Sequence, residues 1–500
     1  MSTCNPEGRH GFAGVPRALG GVGGHVGAPH VGRSDELCWM TAADLARAIA
    51  RKKVSPVEVV DAVLARIDKL SALNAYVTLD AEGARKAARA AERALTKRSA
   101  TLGPLHGVPF SVKDLVITKG IRTTFGTPLY RDNVPAEDAP IVERLKAAGG
   151  IMLGKTNTPT LGWVGITDNL VFGLTRNPWN LDRTPGGSSG GAGAAVAAGL
   201  APLAVGTDGG GSIRKPAAFC GIFGLKPTYG RIPIHPHGAS WSFSHLGPMT
   251  RTVRDAALML NVCAGADARD QYSLPADGVD YVKALGGTLR GLRVAYSETL
   301  GFAPAVDPEV SSATRKAAAA FRALGCRVDT VTPSWPSPYE CWRRIFLGGI
   351  GARLAAYRDR RDEIDPGLRP IVDEALALPP TAYVEAWFER NAWAEHTRRF
   401  FQKYDLLLSP TAATAAFEHG ILFPSTIDGK PVSREASSAF TFPFNMTGDP
   451  AASVPCGFTR EGLPIGLQIV GRRFEDATVL RAGAAFEAAR PWSHRRPPSM

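Results

Sequence analysis

Apolar positions near the start of the ordered sequence recur at helical spacing, and from residue 105 onward they gather into short runs. Thr41 followed by Asp44 has the spacing of a helix N-terminal cap, with Leu45 and Ile49 four apart behind it. Ser55-Pro56-Val57-Glu58 is a stronger start: Ser55 caps, Pro56 suits the first helical position, and Glu58 returns a bond to the cap. Val59, Val60, Val63, Leu64 and Ile67 then fall on one stripe, and an Ala- and Arg-rich stretch predicts a third helix over about 82–97. No linker follows this leading helical part, 40–100, so it is expected to pack on the main body.

Beyond it, strands are predicted over 108–112, 151–153, 203–205, 292–296, 327–331, 406–408, 452–454 and 465–469. Helices are predicted over 141–148 and from about 475. Such alternation implies an α/β fold, a sheet with helices on both faces. Between 333 and about 400 the pattern turns helical and aromatic, with Trp335, Tyr339, Trp342, Phe346, Tyr383, Trp387 and Trp393. That stretch reads either as helical core or as the wall of a substrate pocket. Residues 1–36, rich in Gly, Pro, His and Arg without periodicity, read as a flexible tail, and 37–500 as a single domain.

Composition narrows the class. The 500-residue chain carries a formal charge of +12, but its Lys and Arg are mixed with acids and no basic run is interleaved with aromatics. This reads as a basic surface and excludes a nucleic-acid partner from the expectations. No apolar stretch reaches the roughly 20 residues a membrane span needs, and the N-terminus lacks a charged head followed by an apolar core. Seven scattered cysteines without C-x-x-C spacing argue against a disulfide framework or a zinc site and fit a reduced, cytoplasmic protein.

The candidate chemistry lies in two glycine-rich segments, Thr184 to Gly191 and Gly206 to Arg214, joined by an Ala-rich helix of about 192–198. A serine after consecutive glycines, Ser212, leaves backbone N–H groups free to converge on an oxyanion or a phosphate. Neither segment is G-x-x-x-x-G-K-[ST]. Gly186-Gly187-Ser188-Ser189-Gly190 satisfies G-x-S-x-G, yet that motif needs a strand before it and here a loop precedes. Ser212 follows the apolar run 203–205 closely and is the better nucleophile candidate. None of the ten histidines is an obvious partner; His235, His237 and His245 read as loop or surface residues, with substrate contact as the alternative. A serine without histidine needs another base, and a lysine made neutral by burial can serve. Lys113, at the end of an apolar strand and before Asp114, is placed for this.

Together these stretches resemble the amidase signature family. The matching segments are Gly107 to Asp114, Gly154 to Asn157, Gly186 to Gly191, Gly206 to Gly230, Gly247 to Val253 and Gly462 to Gln468, nearly everything after residue 37. The resemblance implies a mixed central β-sheet surrounded by helices. It implies a catalytic triad of Lys113, Ser188 and Ser212, with a cis peptide bond before Ser188, and amide hydrolysis through an acyl-enzyme on Ser212 that needs no metal or cofactor. The oxyanion hole is expected from the backbone of Gly209, Gly210, Gly211 and Ser212. Asp208 and Arg214 are expected to brace the nucleophile loop, and Ser189 to bond Lys113 or cap the next helix. Cys220 is expected to be a buried small residue, and Lys215 to face solvent, with an acidic substrate group as its alternative. The expected partner is a small linear amide, with no nucleic acid or membrane, and a homodimer is left open. The family also offers an alternative, the glutaminase (A) subunit of a tRNA-dependent amidotransferase.

Overall fold

A computed structural model describes residues 31–96, 101–239 and 241–498. Residues 1–30 of the expected tail lie outside the described residues, but its last part does not conform: Val31–Trp39 is a helix. Leu37 and Cys38 are buried. The buried Arg66 guanidinium lies 4.9 Å from the Trp39 ring and 2.5 Å from Asp35. Cation–π and ion-pair contacts hold this turn, a cause that periodicity does not register.

The two leading start signals act as read. Thr41 Oγ1 accepts from Asp44 N at 3.0 Å, opening helix Ala42–Ala50. Ser55 Oγ accepts from Val57 N at 3.0 Å while Ser55 N donates to Glu58 at 2.8 Å, opening helix Pro56–Lys69. The third helix runs over Ala81–Ala94. Val60, Val63 and Leu64 pack with Ile151, Leu153, Ala194 and Ala198, so the leading helices dock on the body. A fully buried aliphatic side chain contributes roughly 1.5–3 kcal/mol, which makes this a firm seam.

The strands are β1 (Tyr76–Leu79), β2 (Pro109–Lys113), β3 (Ile151–Thr156), β4 (Leu203–Asp208), β5 (Phe223–Lys226), β6 (His245–Thr250) and β7 (Arg293–Tyr296). They continue with β8 (Arg327–Thr330), β9 (Leu406–Pro410), β10 (Thr426–Ile427), β11 (Lys430–Pro431), β12 (Ala451–Phe458) and β13 (Pro464–Gly471). Among the described residues, β10 and β11 pair with each other, and the other eleven form one mixed sheet ordered β1-β3-β2-β4-β6-β5-β12-β13-β9-β7-β8. The expected mixed sheet with surrounding helices is the observed architecture. β1, β5 and β6 were not anticipated; β1 and β5 are four residues long, and β6 carries Gly247 and Pro248, which disfavour a strand. Among the described residues no helix is long and apolar enough to cross a membrane.

Two features position the site. Parallel neighbours β2 and β4 end together, at Lys113 and Asp208. Helices Gly190–Ala197 and Arg214–Cys220 meet through small residues, Ala192 and Val196 against Ala217 and Cys220. Their close approach sets the loop before one helix beside the loop before the other.

Candidate active site

Lys113 closes β2 and is fully buried. Its Nζ lies 2.7 Å from Ser188 Oγ, 2.9 Å from Ser189 Oγ and 2.8 Å from Thr207 Oγ1. Burial pushes its pKa well below the ordinary lysine range, partly offset by the charge of Asp208. A neutral amine has two N–H donors and one lone pair. Ser189 spends its hydrogen on Thr207 O, 3.1 Å away, and so accepts from the lysine. The lone pair is left for a hydroxyl hydrogen from Ser188 or Thr207. Lys155, at the end of β3, is a useful contrast: it too is buried, but Asp114 lies 3.5 Å away and Val116 O and Thr123 Oγ1 accept from it.

The Ser188 loop is tied at both ends by one threonine. Thr167 Oγ1 donates to Gly186 O at 2.8 Å and accepts from Gly190 N at 3.1 Å. The Gly187–Ser188 peptide is cis, as the resemblance implies. Of the two roles expected for Ser189, the bond to Lys113 is the one observed; its side chain makes no capping bond to helix Gly190–Ala197.

The Ser212 loop is organised by a buried carboxylate. Asp208 Oδ1 accepts from Gly211 N at 2.6 Å, and Asp208 Oδ2 accepts from Ile213 N at 3.1 Å. Arg214 meets both oxygens, at 2.9 and 3.0 Å, and also donates to Asn445 Oδ1, Gln468 Oε1 and Thr441 O. Burial alone would raise the Asp208 pKa, but Arg214, Asn445 and Lys226 outweigh it and hold the carboxyl well below the usual range. The expected brace of Asp208 and Arg214 is therefore present, within a network that includes Asn445, Thr441 and Gln468.

One expected oxyanion-hole donor is corrected. The Gly211 N–H points at Asp208, so it is not available to an oxyanion. Gly211 is instead the hinge of the loop: its φ is +116°, and a Cβ there would sit 2.2 Å from Thr441 Oγ1. The N–H groups of Gly209, Gly210 and Ser212 are committed to no other group among the described residues. Ser212 itself is half-buried, and Ser189 N donates to its carbonyl at 3.2 Å, so the two serine loops lie side by side.

Both serines border a cleft of about 820 Å³, its open mouth included. The far wall is aromatic: Tyr339, Trp342 and Phe346 line it, and Trp342 Nε1 donates to Gly209 O at 3.2 Å. Trp335 and Trp393, by contrast, lie in a separate apolar core. The aromatic stretch thus serves as both pocket wall and core. Cys220 is buried, and burial pushes its thiol pKa up, as a small core residue should behave. His245 departs from its loop reading: it lies buried on β6 with Nδ1 donating to Phe243 O at 2.6 Å. Lys215 also departs. It is 5% exposed, lines the cleft and donates to Ser438 Oγ at 2.7 Å.

Asn445 and Thr441 were missed as site residues, and Thr207 and Gln468 entered only as parts of matching segments. For Thr207 the signal was present, since a polar residue just before Asp208 ends a strand beside Lys113. A lone amide inside the apolar run Phe442-Pro443-Phe444-Asn445-Met446 was the signal for Asn445.

A buried amine, hydroxyls beside it and uncommitted N–H groups around Ser212 suit acyl transfer to a serine. The comparisons with known proteins agree on that class. The Amidase family model matches residues 58–480. An acylamidase of Rhodococcus erythropolis is 43% identical, the alignment covering 92% of this chain and 98% of the relative. The A subunit of a glutamyl-tRNA(Gln) amidotransferase from Roseiflexus sp. (strain RS-1) is 39% identical over the same shares. The solved structure of a bacterial aryl acylamidase of the amidase signature family superposes with a TM-score of 0.85 at 35% identity, covering 91% of this chain and 97% of that one. This chain belongs to the amidase signature family.

Proposed function

We propose that the protein is a stand-alone amidase that hydrolyses carboxylic amides through an acyl-enzyme on Ser212, with Ser188 as proton relay and Lys113 as base. The observation that carries this reading is the 2.7 Å bond from the wholly buried Lys113 amine to Ser188 Oγ, at the edge of the cleft that Ser212 also lines. Neutral Lys113 takes the Ser188 proton as Ser188 takes the Ser212 proton, and Ser212 Oγ bonds to the amide carbon. The oxyanion is held by the N–H groups of Gly209, Gly210 and Ser212; one such donor is worth roughly 3–4 kcal/mol in a comparable hydrolase. When the C–N bond breaks, the proton on Lys113 returns through Ser188 to the leaving amine. Water then attacks the acyl-enzyme and gives its proton to the same relay, which returns it to Ser212 Oγ as the bond to the acyl group breaks and the acid leaves. Esters and carbamates fit the same route. The free cysteines suit a reducing, cytoplasmic setting.

A second reading, the glutaminase subunit of an amidotransferase, is favoured by the amidotransferase relative. The aromatic wall of the cleft supports the stand-alone reading. Acetanilide, an aliphatic amide, a phenyl carbamate and glutamine, assayed for released amine or ammonia, separate the two. Turnover of anilide or carbamate by the isolated chain, abolished in Ser212→Ala, is expected. Turnover of glutamine alone, and only beside co-purifying subunits, would select the second reading. Anilide turnover that survives Ser212→Ala would end the first.

A further inference from the structure

The lining of the cleft is electrostatically one-sided. Among the described residues that line it, Lys215 and Arg434 carry charge, both positive, and no Asp or Glu is present. Neither cation has a carboxylate within ion-pairing distance among the described residues, whereas the buried Arg66, Arg214 and Arg231 do. Lys215 Nζ has one polar partner, Ser438 Oγ, although the residue is 5% exposed. Gly165 leaves the space the ammonium occupies, since a Cβ there would lie 2.4 Å from Nζ. Arg434 stacks its guanidinium 5.0 Å from the Trp163 ring centroid and reaches Trp163 O only at 3.5 Å.

The acids nearby are already spent. Asp208 is engaged by Arg214 and two backbone N–H groups, and Glu374 by Arg343. Burial pushes the Lys215 pKa down to about 8; the charge of Asp208 opposes this, and the charge of Arg434 adds to it. Two like charges facing open space, Lys215 buried and Arg434 half-buried, without a counter-charge of their own, are unfavourable unless the occupant of that space supplies one. A carboxylate meets both geometries, since it accepts from an ammonium and from a planar guanidinium. Lys215 lies three residues beyond Ser212, so the anion would sit a short spacer from the reacting carbonyl.

We propose that Lys215 and Arg434 form an anion subsite of the cleft, and that the preferred substrate is an amide bearing a carboxylate a short spacer from its scissile carbonyl. This rests on the acyl-transfer reading for its chemistry, but its test does not need turnover. Binding is measured by calorimetry on Ser212→Ala protein for two matched pairs. 4-Anilino-4-oxobutanoate against butyranilide places the charge on the acyl part, and 4-acetamidobenzoate against acetanilide on the amine part. In at least one pair the anion should bind about tenfold or more tighter than its neutral partner. Adding Lys215→Met or Arg434→Met should shrink that ratio about fivefold or more, and Lys215→Arg should keep most of it. The proposal is overturned if neither anion outbinds its neutral partner, or if the preference survives both Met substitutions. Should a variant fail to fold, the ratio in the Ser212→Ala protein alone decides. Retained anion preference with no release of aniline or 4-aminobenzoate by the wild type counts against the acyl-transfer reading and leaves the subsite standing.

Discussion

Replacing Arg214 by Met tests how the Ser212 loop is held. The guanidinium is fully buried and donates five hydrogen bonds, two to Asp208 and one each to Asn445, Gln468 and Thr441. Methionine fills much of the volume but strands the Asp208 anion, which keeps Asn445 and the N–H groups of Gly211 and Ile213. Removing one partner of a buried ion pair costs about 3–5 kcal/mol. Unfolding entropy is about 2.1 cal/mol/K per residue, or about 1 kcal/mol/K for this length, so the melting temperature should fall by about 3–5 °C. Asp208 has a depressed folded pKa, so the pair contributes its stability above the ordinary carboxylate range and loses it as pH falls through the folded pKa. The defect should therefore be full at pH 7 and shrink in acid. Adding Asp208→Asn removes the stranded charge and should restore about 1 kcal/mol or more. Calorimetric scans at several pH values, with anilide turnover in parallel, check this. A loss under about 1 kcal/mol, or a double variant no better than the single, would refute the reasoning.

Other expectations concern the amine. Thr207→Val deletes a hydroxyl 2.8 Å from Lys113 Nζ and leaves a buried polar group short of a partner, a loss of about 1–3 kcal/mol. The rate should fall about tenfold, and the acidic limb of the pH–rate profile should move to lower pH, because that oxygen accepts from the ammonium form. In the wild type, activity should rise with pH as Lys113 loses its proton and level off below the ordinary lysine range, given its depressed pKa. Across that window the unfolded chain holds a proton on Lys113 that the folded one lacks, so this group makes stability rise with pH; Lys113→Met should make the rise smaller, the buried Lys155, Lys215 and Lys226 supplying the rest. Cys220, whose thiol pKa burial raises, should resist iodoacetamide at pH 8 in the native protein and react once the chain is unfolded.

Elements whose cause is local were legible in the sequence. Ser55 to Glu58 carries its whole capping device in four residues, and β2, β3 and β4 are continuous apolar runs that end at the residues of interest. Lys113 and Ser212 were candidates because an apolar strand ending in lysine and a serine closing a glycine-rich loop are unusual in themselves, whereas Ser188 entered only through the family resemblance. What stayed hidden depends on distant partners. Gly211 is spent on Asp208 rather than on an oxyanion because Arg214 pins that carboxylate, and Arg214 is held by Asn445 and Gln468, more than 200 residues further on. Lys215 read as a solvent-facing residue because nothing in its neighbours announces that Gly165 and Ser438 enclose it. β6 was hidden by Gly247 and Pro248, which the interior of the sheet accommodates.

The central claim is that a neutral lysine activates Ser212 through Ser188. The rate at which a fluorophosphonate probe modifies the protein, with the modified residue mapped by peptide mass spectrometry, tests it most directly. The account predicts a label on Ser212 that forms faster as pH rises, and at least about a hundredfold slower in Lys113→Met and in Ser188→Ala proteins that remain folded. A label on Ser188 in the wild type, or undiminished labelling of Ser212 without Lys113, would contradict it.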